Sequence, residues 1–319
     1  MQDTRPTSNP ASCVLNPDMR PRVLVVYKKD AYQQYIQERR DPHLGRLLRA
    51  RHPDALEMQR AHAVHRQALE TVVHALRQLP VDFDLAYRAD LKVTQKRYRL
   101  VVSVGGDGTF LQAARSVTQT PILGVNSDPQ RSEAVFCAAT RRTFARLCRA
   151  ALQDRLPELR LSRLRMALNG RLLPHRAIND ILVVHDDPAT MSRYRLRIGA
   201  REEFQKSSGL WVATAAGSSS AVLAAGGVRL PWGAARFQYR PRELYRGRLS
   251  SPCLTGGVLT AKSSVRVTWL MRRGSAFVDG PHVQVPLRFA DRLEIRLSLT
   301  DPLRVLGLGS GSKRRGALR

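Results

Sequence analysis

Short apolar runs alternate with helical patterns in the first half of the chain. Four runs have the length and character of buried strands: residues 23–27, 83–87, 100–104 and 121–125. Three stretches space their apolar residues as a helix does: residues 54–79, 108–118 and 140–152. Strands that alternate with helices in this way are typical of a parallel α/β sheet.

The pattern changes near Pro157, after which short stretches alternate apolar and polar residues between turns. These stretches are residues 161–168, 171–173, 181–185, 194–198, 209–213, 265–270 and 293–299. Period-two alternation predicts half-buried strands, and therefore a β-rich second domain. We predict an α/β domain at 21–157, a β-rich domain at 158–308, a disordered leader at 1–20 and a flexible basic tail at 309–319.

A glycine-rich turn joins the third apolar run to the helix that follows it. Gly105, Gly106, Asp107 and Gly108 form the turn, and Thr109 opens the helix. Glycines permit positive φ and lack the Cβ atoms that would keep a phosphate away, and a helix N-terminus directs N–H groups at an anion. The pattern is neither GxGxxG nor GxxxxGK[ST], so it predicts neither a dinucleotide fingerprint nor a P-loop.

Polar residues also follow the fourth apolar run, where Asn126 is the first of them. Parallel strands bring their carboxyl ends to one edge, so we expect Asn126 near Asp107. His62 and His65 stand three residues apart on the first predicted helix, a spacing that could chelate a metal. Because no carboxylate or cysteine is placed in sequence to complete such a site, we predict no metal site at this pair.

The composition suits a globular protein of two domains, with 319 residues of which 43% are hydrophobic. No apolar run is long enough to span a bilayer, and the N-terminal residues lack the apolar stretch of a signal peptide. We therefore expect a cytoplasmic protein with no membrane partner. The cysteines at 13, 137, 148 and 253 show no metal or redox spacing, so we expect reduced thiols.

The formal net charge of +27 would attract polyanions. The basic residues are nevertheless spread along the chain, and no nucleic-acid-binding motif accompanies them. We predict no specific nucleic-acid partner.

The GGDGT turn resembles the phosphoryl-transfer motif shared by NAD kinases, 6-phosphofructokinases and lipid kinases of the diacylglycerol and sphingosine type. Residues 177–183 (AINDILV) resemble the Asn-Glu strand motif of NAD kinases, and residues 208–227 resemble their DGxxxxTPTGSTAYxxxAGG segment. With FVDG at 277–280, these motifs match in order and spacing from about residue 22 to 300. The GVNSDP and TAAGS stretches are especially similar to the plant NADH-kinase branch.

This resemblance implies a Rossmann-like α/β domain and a C-terminal β-sandwich that hold a dinucleotide between them. It implies phosphoryl transfer from ATP or polyphosphate to the adenosine ribose 2′-hydroxyl of NAD⁺ or NADH, assisted by a divalent ion such as Mg²⁺. It also implies a homo-oligomer, either a dimer or a tetramer.

Site residues follow from the same resemblance. Asp107 would be the general base or the carboxylate that organises a metal. The residues expected to bind phosphate or nucleotide are Gly105, Gly106, Gly108, Thr109 and Asn126. Those expected to contact the dinucleotide are Asn179, Asp180, Thr214, Gly217, Ser218, Ser219, Ser220, Ala221 and Ala224.

The residue types independently suit this chemistry. A ribose hydroxyl is a poor nucleophile at neutral pH, so a carboxylate must orient it or accept its proton. An amide beside an acid, as at Asn179 and Asp180, can hold a cis-diol. Hydroxyl groups around Gly217 can donate to phosphate oxygens, although such a serine-rich turn alone would be uninformative.

The chain departs from the family pattern at three positions. Asp180 replaces the usual Glu, and Ser208 replaces an Asp expected near the nicotinamide end, which predicts an altered preference between NAD⁺ and NADH. Ala221 replaces a stacking Tyr, so another aromatic such as Trp211 or Phe136 would have to stack on the base.

Two alternatives remain open from the residues. One is a lipid or sugar kinase that shares only GGDGT, for which we would expect no Asn-Asp strand motif and a different second domain. The other is a nucleotide-binding or nucleic-acid-binding protein without catalysis, against which the retention of Asp107 argues.

Overall fold

The computed structural model describes residues 20–91, 98–248 and 251–309 of the chain. The predicted leader and tail fall almost wholly outside the described residues. The first half contains β1 (Arg22–Tyr27), a π-helical segment (Tyr32–Glu38), α1 (Pro42–Arg49), α2 (Pro53–Arg77), β2 (Asp82–Tyr87), β3 (Leu100–Gly105), α3 (Asp107–Ser116), β4 (Ile122–Asn126), β5 (Ala139–Thr140) and α4 (Phe144–Leu152).

The second half is almost entirely strands. It contains β6 (Glu158–Leu168), β7 (Arg171–Ala177), β8 (Asp180–Val184), β9 (Ser192–Ile198), β10 (Arg201–Ser207), β11 (Leu210–Thr214), a 3₁₀ turn (Ala216–Ser219), α5 (Ala221–Ala224), β12 (Arg236–Pro241), β13 (Gly257–Thr260), β14 (Ser264–Trp269), β15 (Gly274–Val278), β16 (Gln284–Leu287) and β17 (Arg292–Leu306).

Four parallel strands form the sheet of the first half, in the order β2, β1, β3, β4. Successive residues of a strand point to opposite faces. In β1, Val23 and Val25 pack in the core that contains α2 and α4, whereas Leu24 and Val26 pack in the core that contains α3. A strand buried on both faces reads as a continuous apolar run, which is why the sequence predicted these strands well.

Helix starts in the first half follow local capping rules. α1 begins at Pro42, and the side chain of Asp41 accepts a hydrogen bond from the backbone N–H of Leu44 at 3.0 Å. α2 begins at Pro53, a residue whose missing N–H costs nothing in the first turn. The predicted helix at 54–79 is therefore present, and its buried stripe includes Val72 and Leu76.

The second half forms a β-sandwich. A six-stranded antiparallel sheet in the order β13, β12, β11, β8, β15, β16 packs on the antiparallel part of the first sheet. Their shared core includes Tyr194, Phe237 and Trp269, all fully buried. The predicted fold class, an α/β domain followed by a β-sandwich, is confirmed.

The last strand, β17, belongs to both halves. Its first part pairs antiparallel with β14, both of its parts pair antiparallel with β6, and Val305 near its end pairs parallel with Ile122 of β4. A register shift between Ser298 and Leu303 marks an irregularity that bends the strand. One eleven-stranded sheet thus crosses both predicted domains. The domain boundary near residue 157 stays a prediction.

In the described part of the chain, no helix combines the length and the apolar character that crossing a membrane requires. Cys137, Cys148 and Cys253 are free. Burial raises the pKa of the Cys148 thiol to about 12.

Leu303 lies on the later part of β17 and is fully buried in the core that contains α3. Its replacement tests whether this part of β17 packs in the first half of the chain. We expect Leu303→Ala to lower the free energy of unfolding by about 2–5 kcal/mol, as a cavity in a well-packed core does. Leu299→Ala is the matched control, since Leu299 lies on the same strand but is 50% exposed. Urea unfolding followed by circular dichroism measures both, and equal effects would contradict this packing.

Candidate functional site

The glycine turn places Asp107 at the first residue of α3, directly after β3. Gly106 is the N-cap, with φ −106° and ψ −166°, and none of the three glycines has a positive φ. The positive φ that glycine permits is therefore not used at this turn. Glycine is required by close packing instead, because a Cβ at Gly105 would lie 2.3 Å from Thr109 Oγ1 and one at Gly106 would lie 2.9 Å from Ser132 Oγ.

The Asp107 carboxylate is held by a loop after β4. Its Oδ2 accepts from the backbone N–H of Val135 and its Oδ1 from that of Phe136, both at 3.0 Å. A carboxylate can accept about four hydrogen bonds, so these two do not by themselves exhaust it. The backbone of this loop therefore orients the carboxylate.

An aromatic stack supports that loop. The ring of Phe136 stacks on Phe110 and on Trp232, with centroid distances of 5.1 Å in both pairs. Phe136 is only 1% exposed, so it does not stack on a base as the sequence had suggested. Trp232, which the sequence reasoning missed, covers it from the second half of the chain.

Two further predicted residues make protein contacts in the same region. The Asn126 amide donates to the carbonyl of Ser132 at 2.7 Å and accepts from the N–H of Asp128 at 3.0 Å. Thr109 is buried, and its hydroxyl accepts from Arg88 Nη1 at 3.4 Å. Both side chains shape the phosphate turn and the loop beside it, and their contact with nucleotide stays a prediction.

Asn179 and Asp180 lie in a second turn, at the start of β8. The carboxylate of Asp279 accepts hydrogen bonds from the backbone N–H groups of Ile178, Asn179 and Asp180, at 2.9, 2.7 and 3.1 Å. Asp279 closes β15 with a φ of +49°. Burial raises its pKa to about 6, although the three N–H groups and Arg115 favour the charged form. Sequence reasoning assigned Asp279 no role, although the FVDG motif contains it.

Asp180 is a buried carboxyl with one hydroxyl partner. Its Oδ2 accepts from the Ser220 hydroxyl at 2.9 Å. Burial and the neighbouring Asp279 raise the pKa of Asp180 to about 7, while Ser220 acts in the opposite direction. The adjacent Asn179 side-chain oxygen is buried and has no hydrogen-bond partner among the described residues. This pair can accept hydrogen bonds from two neighbouring hydroxyls.

The serine-rich segment packs directly on this second turn. A Cβ at Gly217 would lie 2.1 Å from the carbonyl oxygen of Asn179. The Thr214 hydroxyl donates to the carbonyl of Ile178 and accepts from the N–H of Gly217 at 3.0 Å. These contacts join Thr214, Gly217 and Ser220 to the Asn179–Asp180 turn.

The remaining members of the segment lie around it. The Ser218 hydroxyl is buried and accepts from the N–H of Leu230 at 2.8 Å. Ser219 is partly exposed, whereas Ala221 and Ala224 are exposed on α5. Their contact with a dinucleotide stays a prediction.

Ser208 lies at the far end of β11 from Thr214, with its backbone N–H bonded to the carbonyl of Arg242 at 3.0 Å. At about 3.4 Å per residue, that separation is about 20 Å. Within one chain, Ser208 is therefore remote from the Asn179–Asp180 turn.

Arginine side chains connect the two turns. Arg115, in the last turn of α3, donates from Nη1 to the carbonyl of Val278 at 3.1 Å, next to Asp279. Arg163 of β6 is fully buried and donates to the carbonyl of Val117 at 2.7 Å, at the C-terminal end of α3. A cation there is favoured by the helix dipole. No sequence signal marked either residue.

The two histidines of α2 have separate partners. His62 Nδ1 lies 2.8 Å from Asp30 Oδ2, and His65 Nε2 lies 3.0 Å from the carbonyl oxygen of Lys28. Across the residues that the structure describes, no group of three or more His, Cys, Asp and Glu side chains could hold a metal ion.

Comparison with known proteins gives consistent matches. A model of the ATP-NAD kinase N-terminal domain matches residues 51–130. The chain is 35% identical over 254 residues to a probable NADH kinase of Oryza sativa subsp. japonica, which covers 73% of this chain and 78% of that protein. It is 30% identical over 256 residues to an NADH kinase of Arabidopsis thaliana, with 73% and 80% covered.

Solved structures share the fold at low identity. An NAD kinase from Archaeoglobus fulgidus in complex with ATP aligns with a TM-score of 0.62 and 22% identity, covering 89% of this chain and 92% of that one. Yeast NADH kinase complexed with NADH aligns with a TM-score of 0.63 and 16% identity, covering 92% and 85%.

The raised pKa of Asp180 predicts how stability depends on pH. The folded state favours the neutral carboxyl. The contribution of this carboxyl to the free energy of unfolding is therefore present at low pH and is lost as the pH rises through about 7. We expect the free energy of unfolding of Asp180→Asn to exceed that of the wild type by about 1–4 kcal/mol at pH 8 and to match it near pH 4. Thermal unfolding at both values measures this, with exposed Asp82→Asn as control. A variant that is less stable at pH 8 would contradict the prediction.

Gly217 provides a steric test of the second turn. Because an added Cβ would overlap the Asn179 carbonyl, we expect Gly217→Ala to cost about 3 kcal/mol or more. Gly233→Ala is the matched control, since a Cβ there meets nothing within 4 Å. Chemical unfolding compares the two, and a Gly217→Ala variant as stable as the control would exclude this close approach.

Proposed function

The chain belongs to the NAD kinase family, and we propose that it transfers a phosphoryl group from ATP to the adenosine ribose 2′-hydroxyl of NAD⁺ or NADH. The two plant relatives match over 254 and 256 residues, through both halves of the chain. A lipid or sugar kinase that shares only the glycine turn is therefore set aside. The names of both plant relatives favour NADH as the acceptor.

The observation that supports this reaction best is the linkage of the two turns. Asp107 opens α3, and Arg115 near the end of the same helix reaches Val278, beside the carboxylate that holds Asn179 and Asp180. The turn proposed to bind hydroxyls is thus connected to the helix that begins at the glycine turn. Phosphoryl transfer to a ribose needs these two functions side by side.

Each residue then has a chemical role. The side chains of Asn179 and Asp180 accept hydrogen bonds from the ribose hydroxyls, and Ser220 keeps Asp180 in position. Asp107 accepts the proton of the 2′-hydroxyl while the 2′-oxygen forms a bond to the γ-phosphorus. The bond from that phosphorus to the β,γ-bridging oxygen breaks, and ADP leaves with the electron pair.

A divalent ion fits the phosphate turn. Mg²⁺ in phosphoryl-transfer sites typically binds one or two carboxylates together with substrate phosphates, so a preformed cage of protein ligands is not needed. Asp107 is the carboxylate placed to hold it, and the ion would neutralise charge that develops on the transferred phosphoryl group. The identity of the metal, the use of polyphosphate as donor and a homo-oligomeric state stay predictions.

A cytoplasmic location also stays a prediction. Some relatives, such as human NAD kinase 2, are mitochondrial in name; that protein is 26% identical over 249 residues.

Asp107→Asn tests the proposed base. We expect NADP(H) formation to fall by about 10²–10⁴-fold, because an amide cannot accept the hydroxyl proton. The dinucleotide should bind within a few-fold of the wild type, since Asn179 and Asp180 are untouched. Product formation from NAD⁺ and from NADH, each with Mg-ATP and with polyphosphate, measures the loss.

The control for this variant is its stability. An amide at this position also disturbs the bonds to Val135 and Phe136, so the variant must show a wild-type melting temperature before its rate is interpreted. Turnover above a tenth of the wild-type value in a folded variant would exclude the base role.

A further inference from the structure

Three basic side chains lie around α3, and none of them forms an ion pair with a carboxylate of the described residues. Arg88 follows β2, and its Nη1 lies 3.4 Å from Thr109 Oγ1 and 3.7 Å from the Cβ position of Gly108. Arg115 lies two turns further along the helix. His282 lies between β15 and β16, in the turn that follows Asp279.

One face of α3 is directed at this turn. Gly108, Gln112 and Arg115 stand at i, i+4 and i+7, a spacing that places them on one side of a helix. Arg115 fixes the direction of this face by its bond to the carbonyl of Val278. In the described part of the chain, the buried side-chain oxygen of Gln112 also has no hydrogen-bond partner.

The charges of the cluster act on one another. Burial lowers the pKa of both guanidinium groups, and the charge of Arg88 lowers that of Arg115 further. Burial, Arg88 and Arg115 lower the pKa of His282. Proximity of like charges in a half-buried cleft is unfavourable unless an anion compensates it.

No carboxylate of the protein provides this compensation in the described residues. Arg88 donates to a hydroxyl and Arg115 to a carbonyl, and neither forms an ion pair there. The charge of Asp279 favours the charged form of Arg115, but its carboxylate already accepts from three backbone N–H groups. The cluster is therefore built for an anion from outside the chain.

We propose that Arg88 and Arg115, with His282 as a third contact, bind the phosphate chain of the phosphoryl donor. This inference rests on the proposed function and names the residues that recognise the donor. Arg88 lies against Gly108, directly after Asp107, so a phosphate bound by Arg88 is next to the carboxylate that activates the acceptor. A guanidinium binds phosphate oxygens in bidentate fashion.

The charges of the two substrates favour the phosphoryl donor, and not the dinucleotide, as the ligand of this cluster. A triphosphate carries more negative charge than the two phosphates of a dinucleotide, and two arginines match it better. The side chains of Asn179 and Asp180 provide acceptors for hydroxyls, and Arg88 lies on the side of Gly108 and Thr109. Recognition through phosphates alone also predicts that inorganic tripolyphosphate binds without an attached nucleoside.

Single substitutions separate the two ligands. We expect Arg88→Gln and Arg115→Gln each to raise the KM for Mg-ATP by about 10- to 100-fold, the usual effect of losing a charged hydrogen bond. For Arg88→Gln, whose guanidinium bonds to Thr109, the KM for NADH should stay within about twofold. Arg60→Gln, on the exposed surface of α2, is the matched control and should change neither constant.

Direct binding gives a readout that does not depend on turnover. Isothermal titration calorimetry with sodium tripolyphosphate should show binding to the wild type and to Arg60→Gln, and a loss of affinity of about 10-fold or more in the Arg88 and Arg115 variants. Arg115→Lys keeps a donor for Val278 and should keep the melting temperature. It should also recover part of the affinity for tripolyphosphate, which a purely structural role would not predict.

Three results would overturn the inference. The first is a rise in the KM for NADH without one for ATP, which would assign the cluster to the dinucleotide. The second is unchanged constants for both substrates, and the third is tripolyphosphate binding that ignores the substitutions. If the wild type bound tripolyphosphate through these arginines but made no NADP(H), the phosphate site would stand and the proposed function would fail.

Discussion

The site depends on one buried carboxylate that binds three successive backbone N–H groups. Asp279 accepts from Ile178, Asn179 and Asp180, and without it these donors would lie in the protein interior with no partner. A buried N–H group that loses its acceptor costs about 1–3 kcal/mol, so three of them fix the turn firmly. Through Arg115, the same corner of the molecule is attached to the helix that begins at Asp107.

The two turns differ in the charge of their titratable groups, which are carboxyls near Asp279 and arginines near α3. Near Asp279, burial and like charge raise the pKa of Asp180 to about 7, so ionising this group is costly at neutral pH. Near α3, burial lowers the pKa of Arg88 and of Arg115, and the charge of Arg88 lowers that of Arg115 further. Groups with perturbed titration often mark functional sites, because a substrate offers the missing partner. Here hydroxyl donors suit one side of the cleft and phosphates suit the other.

The sequence predicted local features and missed those that depend on distant contacts. Continuous apolar runs identified the parallel strands, and β16, with Pro286 in its four residues, showed no comparable pattern. The GGDGT motif located Asp107, but its bonds to Val135 and Phe136 join residues 28 and 29 positions apart. The sequence singled out the glycines, and the structure shows that the Cβ contacts around Gly105 and Gly106, and not positive φ, require glycine there.

The pairing of β17 connects the two halves of the chain that carry the turns. This strand pairs with β14 in its first part, with β6 along both of its parts, and with β4 near its end, so one sheet continues from one half of the chain to the other. Arg163, donating from β6 to the end of α3, adds a second buried connection. The two halves of the chain, each of which carries one of the turns, are thus connected through the sheet and through buried Arg163. A turn that such contacts already hold in place needs less binding energy to be ordered when substrate binds.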